Sequence, residues 1–372
     1  MHITMRLRLL LLAGLLLIPA CRQLAANPSV PTNAPIPSRP AASPTVIALI
    51  PTPTQTIVPV APASTSAPLA PSTPTATDTP ATYGAIAREY LENFIEEIGP
   101  RMSGSASEAR AADYIQVTFE EMGYETQRQP FIFYDEDDEE LNSANVIAVK
   151  EGASTQEIIV GAHYDSADDA DGADDNASGV AVMVEVAQMV IDIETPYTIR
   201  FIAFGAEEND LDGSRYYVSR MNRAEIHITL DMINLDSLIA GDFDYVYGET
   251  GTPDSLRDWI LRNANEAGFE LEGKTAQQLD QPDGSACDCA DYGPFQDAGI
   301  PFAYFEATNW ELGDEDGMTQ VNLRFGDRGE IRHTEFDTLD YIEETFPGRI
   351  DHRLNLYVTL LYNALTQFDL DE

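Results

Sequence analysis

The sequence predicts an α/β protein, a single domain with a mostly parallel, mixed open sheet covered by helices on both faces. Two observations lead to this fold class. From Tyr83 onward, short apolar runs typical of strands alternate with longer runs typical of helices. The strand-like runs are apolar at successive positions, as expected for strands buried on both faces. About 290 residues lie in this part of the chain, enough for one large hydrophobic core.

The predicted elements follow in chain order. The first is a helix from Ser107 to Met122, in which apolar residues recur at helical spacing and Gly123 is a natural stop. Two short apolar strands come next, at 145–149 and 157–162, and we expect them to form a hairpin or to be neighbours in the sheet. The other elements are a buried helix at 179–191, a strand at 198–203, a helix at 214–221, a strand at 226–235, a helix at 253–267, a strand at 300–305 and a closing helix at 350–368.

Two segments precede the predicted domain of residues 83–372. Residues 1–21 combine a basic start, an apolar run and Pro-Ala before Cys21, which is typical of an export signal. This pattern favours a lipoprotein cleavage site at which Cys21 becomes lipid-modified, and the alternative is an ordinary signal peptide with an incidental cysteine. Residues 22–82 hold fourteen of the twenty-three prolines, so we expect a disordered tether.

The charge of the predicted domain excludes nucleic acid as a partner. Residues 83–372 contain 17 basic and 62 acidic side chains, a net charge of −45, whereas phosphate binding needs the opposite sign. A charge of this size suits a cation-rich exterior or cationic substrates. The densest acidic run, 135–140, is interpreted as a solvated loop, with calcium binding as the alternative.

Three cysteines are present in the chain. If Cys21 is acylated, Cys287 and Cys289 remain as a close pair in an oxidising compartment. A disulfide across one intervening residue would be strained, so free thiols are the alternative.

Candidate metal ligands and catalytic residues follow the predicted strands at their carboxyl ends. His163 and Asp165 come directly after one strand, Glu207 and Glu208 after another, and Asp236 after a third. Open α/β sheets bind ligands at this edge, and three separate strands deliver polar residues to it. We therefore expect these side chains to converge on one site.

Two further positions complete a possible metal site. Asp175 lies among small residues directly before a buried helix, where two ions could approach, and Asp174 beside it is the competing choice. His333 is the remaining imidazole, and Asp231 competes with Asp236, which lies nearer a predicted strand end. Imidazole nitrogens and carboxylate oxygens suit zinc, and an odd carboxylate can bridge two ions. The sequence therefore predicts a hydrolase with two metal ions.

The residue pairs at the strand ends suggest how the tasks could be divided. Asp165, two residues from His163, could accept the second ring N–H and fix the tautomer of the imidazole. The adjacent Glu207 and Glu208 could bind a metal ion with one carboxylate while the other takes a proton from the attacking water.

Together these stretches resemble the zinc exopeptidase superfamily, which includes secreted bacterial aminopeptidases and relatives of glutamate carboxypeptidase II. Five stretches carry the resemblance, in the order 161–166, 173–179, 204–208, 233–236 and 333–338. Residues 232–241 and 307–311 are similar to aminopeptidases of the alkaline-phosphatase isozyme conversion type. The resemblance implies the zinc-exopeptidase fold, which is phosphorylase/hydrolase-like, two zinc ions per chain and the hydrolysis of peptides.

The resemblance also assigns the ligands. His163 and Asp236 would bind one zinc ion, and Glu208 and His333 would bind the other. Asp175 would bridge the two ions. The same match favours Asp236 over Asp231 and Asp175 over Asp174.

Two catalytic roles are implied in the same way. Glu207 would be the general base, and Asp165 would orient His163. The peptide bond Asp175–Asn176 is expected to be cis, as is often the case in the family.

Two positions depart from the family pattern. Arg332 stands where some members have a tyrosine that helps to hold the oxyanion, and Asp210 precedes Leu211 where a glycine is usual. Neither position is a predicted ligand. The oxyanion helper and the substrate pocket are left open, with Tyr292 as a candidate for the helper.

The sequence thus predicts an exported metallo-exopeptidase that uses two zinc ions to remove N-terminal residues from peptides. We expect a monomer outside the cytoplasm, held at the cell surface by a lipid at Cys21, or secreted. A carboxypeptidase or dipeptidase on the same scaffold is the nearest alternative, because only the recognition of the peptide end differs. A glutaminyl cyclase, which works with one zinc ion, and an inactive binding module are weaker alternatives because the ligand set is complete.

Overall fold

The computed structural model describes residues 83–135, 137–167, 170–248, 255–275, 290–312, 319–325 and 329–370. The predicted export signal, the predicted tether and the pair Cys287 and Cys289 lie outside the described residues. Within the described ranges, none of the helices combines the length and the apolar character needed to cross a bilayer.

Among the described residues, one sheet of eight strands lies at the centre of the fold. The strands are β1 (Thr126–Tyr134), β2 (Glu140–Lys150), β3 (Ser154–His163), β4 (Tyr197–Phe204), β5 (Thr229–Leu235), β6 (Phe243–Gly248), β7 (Glu272–Thr275) and β8 (Phe302–Thr308). The order across the sheet is β1-β2-β4-β3-β5-β8-β6-β7. Strands β4, β3, β5 and β8 are adjacent and parallel, whereas β2 and β6 run antiparallel to their inner neighbours. The predicted mixed, mostly parallel sheet is therefore confirmed.

Helices cover both faces of this sheet, as predicted. The helices are α1 (Ala85–Glu97), α2 (Ala106–Met122), α3 (Ser178–Val190), α4 (Asp212–Arg220), α5 (Arg223–Ile228), α6 (Leu256–Ala267), α7 (Tyr292–Asp297), α8 (Leu339–Thr345) and α9 (Arg349–Gln367). On one face, α1, α2, α3, α6, α8 and α9 pack over alternate strand residues such as Ile158 and Val160. On the other face, α4, α5 and α7 pack over Ile159 and Ile202.

The two strands predicted at 145–149 and 157–162 are not neighbours, so that expectation was wrong. β4 lies between β2 and β3, and Phe201 of β4 pairs with Ala148 on one side and with Val160 on the other. The short connection from β2 to β3 does not close a hairpin, and its backbone bonds instead to the residues directly before β4. The N–H of Ala153 donates to Thr195 O at 2.9 Å.

The strand predicted at 226–235 begins as a helix. α5 ends at Ile228, and β5 starts at the next residue. The Asn222 side chain accepts from the N–H of Ala224 and of Glu225, while the Glu225 carboxylate accepts from Asn222 N. This capping box stabilises a short helix ahead of the strand, despite the apolar residues that suggested an extended run.

Candidate metal centre

Three adjacent strands deliver the predicted site residues to one edge of the sheet. His163 is the last residue of β3, and Asp165 follows it. Glu207 and Glu208 follow β4, and Asp236 follows β5. Because β4, β3 and β5 are parallel neighbours, their carboxyl ends meet at this edge.

Asp175 reaches the same edge from the turn Ala173–Ala177, directly before α3. The peptide bond Asp175–Asn176 is cis, as expected from the resemblance. The Asp337 carboxylate accepts from the N–H of Asp174 at 2.6 Å and of Asp175 at 3.1 Å. The Asn176 amide donates to the carbonyl at the end of β5 at 2.8 Å. The turn is thus fixed against both β5 and the loop before α8.

The structure brings the five predicted ligands together in two groups that share Asp175. His163 Nε2 lies 3.0 Å from Asp175 Oδ1 and 3.6 Å from Asp236 Oδ1. His333 Nε2 lies 3.1 Å from Asp175 Oδ2 and 3.1 Å from Glu208 Oε2. In each group the ligand atoms all lie within 4.8 Å of one another. Each oxygen of Asp175 therefore faces a different histidine.

The two competing aspartates lie elsewhere. Asp174 accepts from the N–H of Ile239 at 2.6 Å and of Ala240 at 2.9 Å, and its second oxygen accepts from Gln320 at 2.6 Å. Asp231 lies within β5, in register with Ile158, five residues before Asp236. Asp174 thus supports the surrounding backbone, and Asp231 is not at the strand end.

The cluster is short of positive charge, which a metal ion would supply. An imidazole Nε2 carries at most one hydrogen, yet His163 Nε2 has oxygens of Asp175, Asp236 and Glu207 within 3.9 Å. Among the described residues, the buried Glu208 Oε1 has no hydrogen-bond partner. Buried carboxylates are costly unless they are paired or bind metal. Two imidazoles and three carboxylates at these distances therefore fit zinc.

The pKa shifts point in the same direction. Burial lowers the pKa of His163, but the surrounding carboxylates raise it well above its ordinary value. For His333, Asp175 and Glu208 outweigh burial and raise the pKa to about 11. Burial raises the pKa of Asp175, but the two histidines lower it well below its ordinary value. A cluster that holds protons on both imidazoles this firmly attracts cations in general.

Asp165 supports more than the imidazole. It is fully buried, and its Oδ1 lies 3.4 Å from His163 Nδ1. The same carboxylate accepts from the backbone N–H of Glu207 at 3.1 Å and of Glu208 at 3.2 Å, and from the Ser103 hydroxyl at 2.7 Å. Sequence reasoning foresaw the contact with His163 but not the support of the glutamate pair.

Arg101 was missed by sequence reasoning. Its guanidinium is fully buried and donates to the carbonyls of Tyr164, Asp171 and Gly172, while it lies over the ring of Phe94. These bonds join both ends of the loop that connects β3 with Asp175. An isolated arginine before α2 carries no local signal of this role, because three of its four carbonyl partners are more than sixty residues away.

Arg332, which departs from the family pattern, is part of a buried polar chain. Its Nη2 lies 2.8 Å from Glu306 Oε1. The other oxygen of Glu306 accepts from the Tyr247 hydroxyl at 2.6 Å, and that hydroxyl accepts from Trp310 Nε1 at 2.6 Å. Arg332, which directly precedes His333, is thus held in place by its ion pair with Glu306.

The start of α7 carries Asp291 and the candidate oxyanion helper Tyr292. The Tyr292 ring is buried and stacks on Phe302 at 4.2 Å between ring centroids, so it belongs to the core. Asp291 is also buried, and neither of its oxygens has a hydrogen-bond partner among the described residues. Burial raises the pKa of Asp291 to about 7, although His163 lowers it.

A cavity of about 590 Å³ opens beside the centre. The residues that line it include Glu208 and His333 from the centre and the apolar side chains of Phe133 and Leu141. Asp135, from the acidic run that follows β1, also lines it. The cavity gives a peptide a place beside the predicted ligands.

Comparison with known proteins found one matching family model, relatives and solved structures of similar fold. The model of Peptidase family M28 matches residues 145–358. The alkaline phosphatase isozyme conversion protein of Escherichia coli is 34% identical over 281 residues, which cover 68% of this chain and 81% of that protein. A protein of Mycobacterium tuberculosis named "Probable lipoprotein aminopeptidase LpqL" is 33% identical over 226 residues, 56% of this chain and 43% of that protein.

Solved structures share the fold at lower identity. The zinc aminopeptidase BSAP from Bacillus subtilis aligns with a TM-score of 0.61 and 19% identity, over 77% of this chain and 96% of that one. A glutaminyl cyclase from Porphyromonas gingivalis aligns with a TM-score of 0.57 and 21% identity, over 77% of this chain and 99% of that one. At these identities the likeness shows the fold and does not separate peptide hydrolysis from cyclisation.

Proposed function

The chain belongs to peptidase family M28 and is a zinc metallopeptidase, and on this premise we propose that it is an aminopeptidase that uses two zinc ions. One observation carries the proposal. The two oxygens of Asp175 face two different histidines, at 3.0 and 3.1 Å, and each histidine has a further carboxylate beside it. A single ion would occupy only one of the two ligand groups and would leave the other histidine and its carboxylate without a cation.

We assign His163 and Asp236 to one ion, Glu208 and His333 to the other, and Asp175 to both. When bound, the ions would supply Lewis-acid polarisation of the scissile carbonyl. The shared aspartate would keep the two sites at a fixed separation, because its own backbone N–H is held by Asp337. These five ligands are the residues that the family resemblance implies.

Glu207 is the proposed general base. Its Oε2 lies 3.9 Å from His163 Nε2, so the carboxylate faces the centre, and its backbone N–H is held by Asp165 at 3.1 Å. Burial and the neighbouring carboxylates raise the pKa of Glu207 well above its ordinary value. A carboxylate with a raised pKa is suited to take a proton from the attacking water and to pass it to the leaving amine.

The charge around the centre favours the amino end of a peptide over the carboxyl end. Glu207 and the buried Asp291 are two further acids beside the centre that have no predicted ligand role, and bound zinc ions would favour the charged form of both carboxyl groups. An α-ammonium group is attracted to such a field, and an α-carboxylate is repelled. We therefore prefer an aminopeptidase to a carboxypeptidase on the same scaffold.

Substitution Glu207→Gln tests the mechanism. The amide is isosteric but cannot take the proton, so kcat should fall by about 10²–10⁴-fold while zinc content stays at that of the parent. Hydrolysis of amino-acid p-nitroanilides and metal analysis by mass spectrometry give the two readouts. Near-normal turnover by Glu207→Gln would remove Glu207 from the proposed role.

Two further measurements test the terminus and the metal count. Peptides with a free N-terminus should be cleaved whether or not the C-terminus is blocked, and N-blocked peptides should not be cleaved. Activity restored to the chelated enzyme should need two zinc ions per chain. Full activity with one ion, together with cyclisation of N-terminal glutamine, would support a glutaminyl cyclase instead.

We further propose that residues 1–21 direct export, that Cys21 carries a lipid, and that residues 22–82 tether a monomeric catalytic domain of residues 83–372. The sequence pattern and the name of the mycobacterial relative support this proposal. Cys21→Ser should move the protein from the membrane fraction to the soluble fraction and abolish incorporation of labelled fatty acid. If Cys21→Ser does not change the distribution between these fractions, residues 1–21 act as an ordinary signal peptide and Cys21 carries no lipid.

A further inference from the structure

Four consecutive backbone N–H groups after β4 donate to buried side chains. We call residues 205–208 the catalytic loop, because they end in the glutamate pair. Gly205 N donates to Asn145 Oδ1 at 3.3 Å, and Ala206 N donates to Glu108 Oε1 at 3.0 Å. The following two N–H groups donate to Asp165 at 3.1 and 3.2 Å. Every amide of the catalytic loop is thus held by a side chain from another element.

Glu108 forms the link between this loop and α2. It is 1% exposed, and its second oxygen accepts from Gly104 N at 2.7 Å. The oxygen that binds the loop also accepts from the Ser143 hydroxyl. Glu108 lies in the first turn of α2, where the Ser105 hydroxyl accepts from its N–H at 3.1 Å. In a capping box the glutamate would accept from the N–H of Ser105, but this one reaches away from its own helix to the catalytic loop.

The catalytic loop needs external support because of its backbone conformation. Ala206 has a φ of 52°, in the left-handed region that side chains other than glycine seldom adopt. At Gly205, an added Cβ would lie 2.7 Å from the Tyr164 hydroxyl and 2.9 Å from Glu108 Oε1, so only glycine allows this close approach. The loop conformation therefore depends on groups around it, and Glu108 binds the residue directly before the glutamate pair.

We propose that Glu108 is a positioning residue for peptide hydrolysis, which holds the catalytic loop so that Glu207 and Glu208 point into the metal centre. The inference rests on the proposed roles of those two glutamates. Glu108 lies outside residues 145–358, the part of the chain that the family model matches. Helix α2 would therefore complete the active site from a segment that the family match does not include.

The test compares Glu108 with a matched buried glutamate. Glu185 is 3% exposed and also accepts from two backbone N–H groups, Gly84 N at 2.8 Å and Ala87 N at 2.7 Å, but at the start of α1. Glu108→Met and Glu185→Met keep the side-chain volume and remove both acceptors. Both should lower the melting temperature, and only Glu108→Met should lower kcat, by about 30–100-fold with KM within about 3-fold and zinc content unchanged.

Two conservative variants sharpen the comparison. Glu108→Gln keeps one acceptor oxygen at the same reach and should restore kcat to within about 5-fold of the parent. Glu108→Asp keeps the carboxylate but shortens its reach by one methylene, so its kcat should fall by about 10-fold or more. Unchanged kcat in Glu108→Asp overturns the inference, even if Glu108→Met does not fold.

The outcomes also separate this inference from the proposed function. If the parent enzyme shows no chelator-sensitive hydrolysis of p-nitroanilides, the proposed function fails. If the parent is active and Glu108→Met retains its kcat, the positioning role fails alone. An equal loss of kcat in Glu185→Met would assign the effect to general destabilisation and would also overturn the inference.

Discussion

Replacing Asp165 by asparagine tests how strongly a residue behind the ligands controls zinc binding. The carboxylate is fully buried and accepts from Glu207 N, Glu208 N and the Ser103 hydroxyl, while His163 Nδ1 lies 3.4 Å away. Asparagine has the same shape but only one acceptor oxygen and no charge. One of the two backbone N–H groups must then face the amide NH₂, which is also a donor.

The magnitude follows from the bonds that are lost. A hydrogen bond to a charged acceptor contributes about 1.5–3 kcal/mol, and the stranded N–H adds part of its desolvation cost. The Ser103 hydroxyl can rotate to accept from the new amide, so its contact is kept. We expect a net loss of about 2–4 kcal/mol, or roughly 3–7 °C in melting temperature for a domain of this size. Weaker orientation of His163 should lower zinc affinity about 10–100-fold.

Calorimetric unfolding and competition for zinc with a fluorescent chelator measure the two quantities. Ser103→Ala is the matched control, because it removes a neutral hydroxyl from the same carboxylate at 2.7 Å. It should cost about 1.5–3 kcal/mol, like other hydrogen bonds to a charged acceptor, and change zinc affinity by less than about 3-fold. Parental zinc affinity in Asp165→Asn would refute the argument that this carboxylate orients the histidine.

Two further predictions concern stability. Burial raises the pKa of Glu108 to about 8 and of Asp291 to about 7, so the folded state without metal binds more protons than the unfolded chain. The stabilisation that comes from these extra protons is fully present below the unfolded pKa of about 4 and is lost as pH rises towards 8. The chelated protein should therefore melt at a higher temperature at pH 5.5 than at pH 8.5. Asp291→Asn should reduce that difference, and a melting temperature that increases with pH would contradict the assignment. Arg101→Lys should destabilise the protein by about 2–4 kcal/mol in urea unfolding, because an ammonium cannot donate to three carbonyls in one plane, and a change below about 1 kcal/mol would contradict this role.

The centre of the sheet could be predicted from the sequence because its strands are buried on both faces. β3, β4 and β5 are apolar runs of ordinary length, and the helices between them have clear periodicity. The insertion of β4 between β2 and β3 could not be predicted, because pairing is decided by contacts between segments far apart in the chain. The edge strands β1 and β7, the strand β6 next to β7, and the helices α1, α7 and α8 were not predicted at all. β1 begins with the polar run Thr126–Gln129, which lacks the apolar pattern of a strand, although these residues pair with β2.

The predicted ligands His163, Glu208 and Asp236 have a local signature because each lies at or just after the end of a strand, whereas the choice of Asp175 depended on the family resemblance. A buried run that stops at a histidine or a glutamate pair is visible in a single sequence. The groups that hold the ligands have no such signature. Glu108 bonds to Ala206, 98 residues away, and Asp337 bonds to Asp175, 162 residues away. In a chain with 63 acidic residues, neither acid differs locally from a solvated one.

Hydrogen bonding nevertheless distinguishes two kinds of acid around the metal centre. Asp165, Glu108, Asp174 and Asp337 each accept from two backbone N–H groups. Within the described ranges, the carboxylates of the predicted ligands accept from no backbone N–H group, and they face the two imidazoles instead. A carboxylate whose lone pairs are engaged by amides has little left for a metal ion, whereas one without amide donors needs a cation to remain buried and charged. The first kind therefore fixes the backbone around the centre, and the second kind is left to bind metal. Asp165→Asn and Glu108→Met both act on the first kind, so both should disturb the centre without removing a ligand.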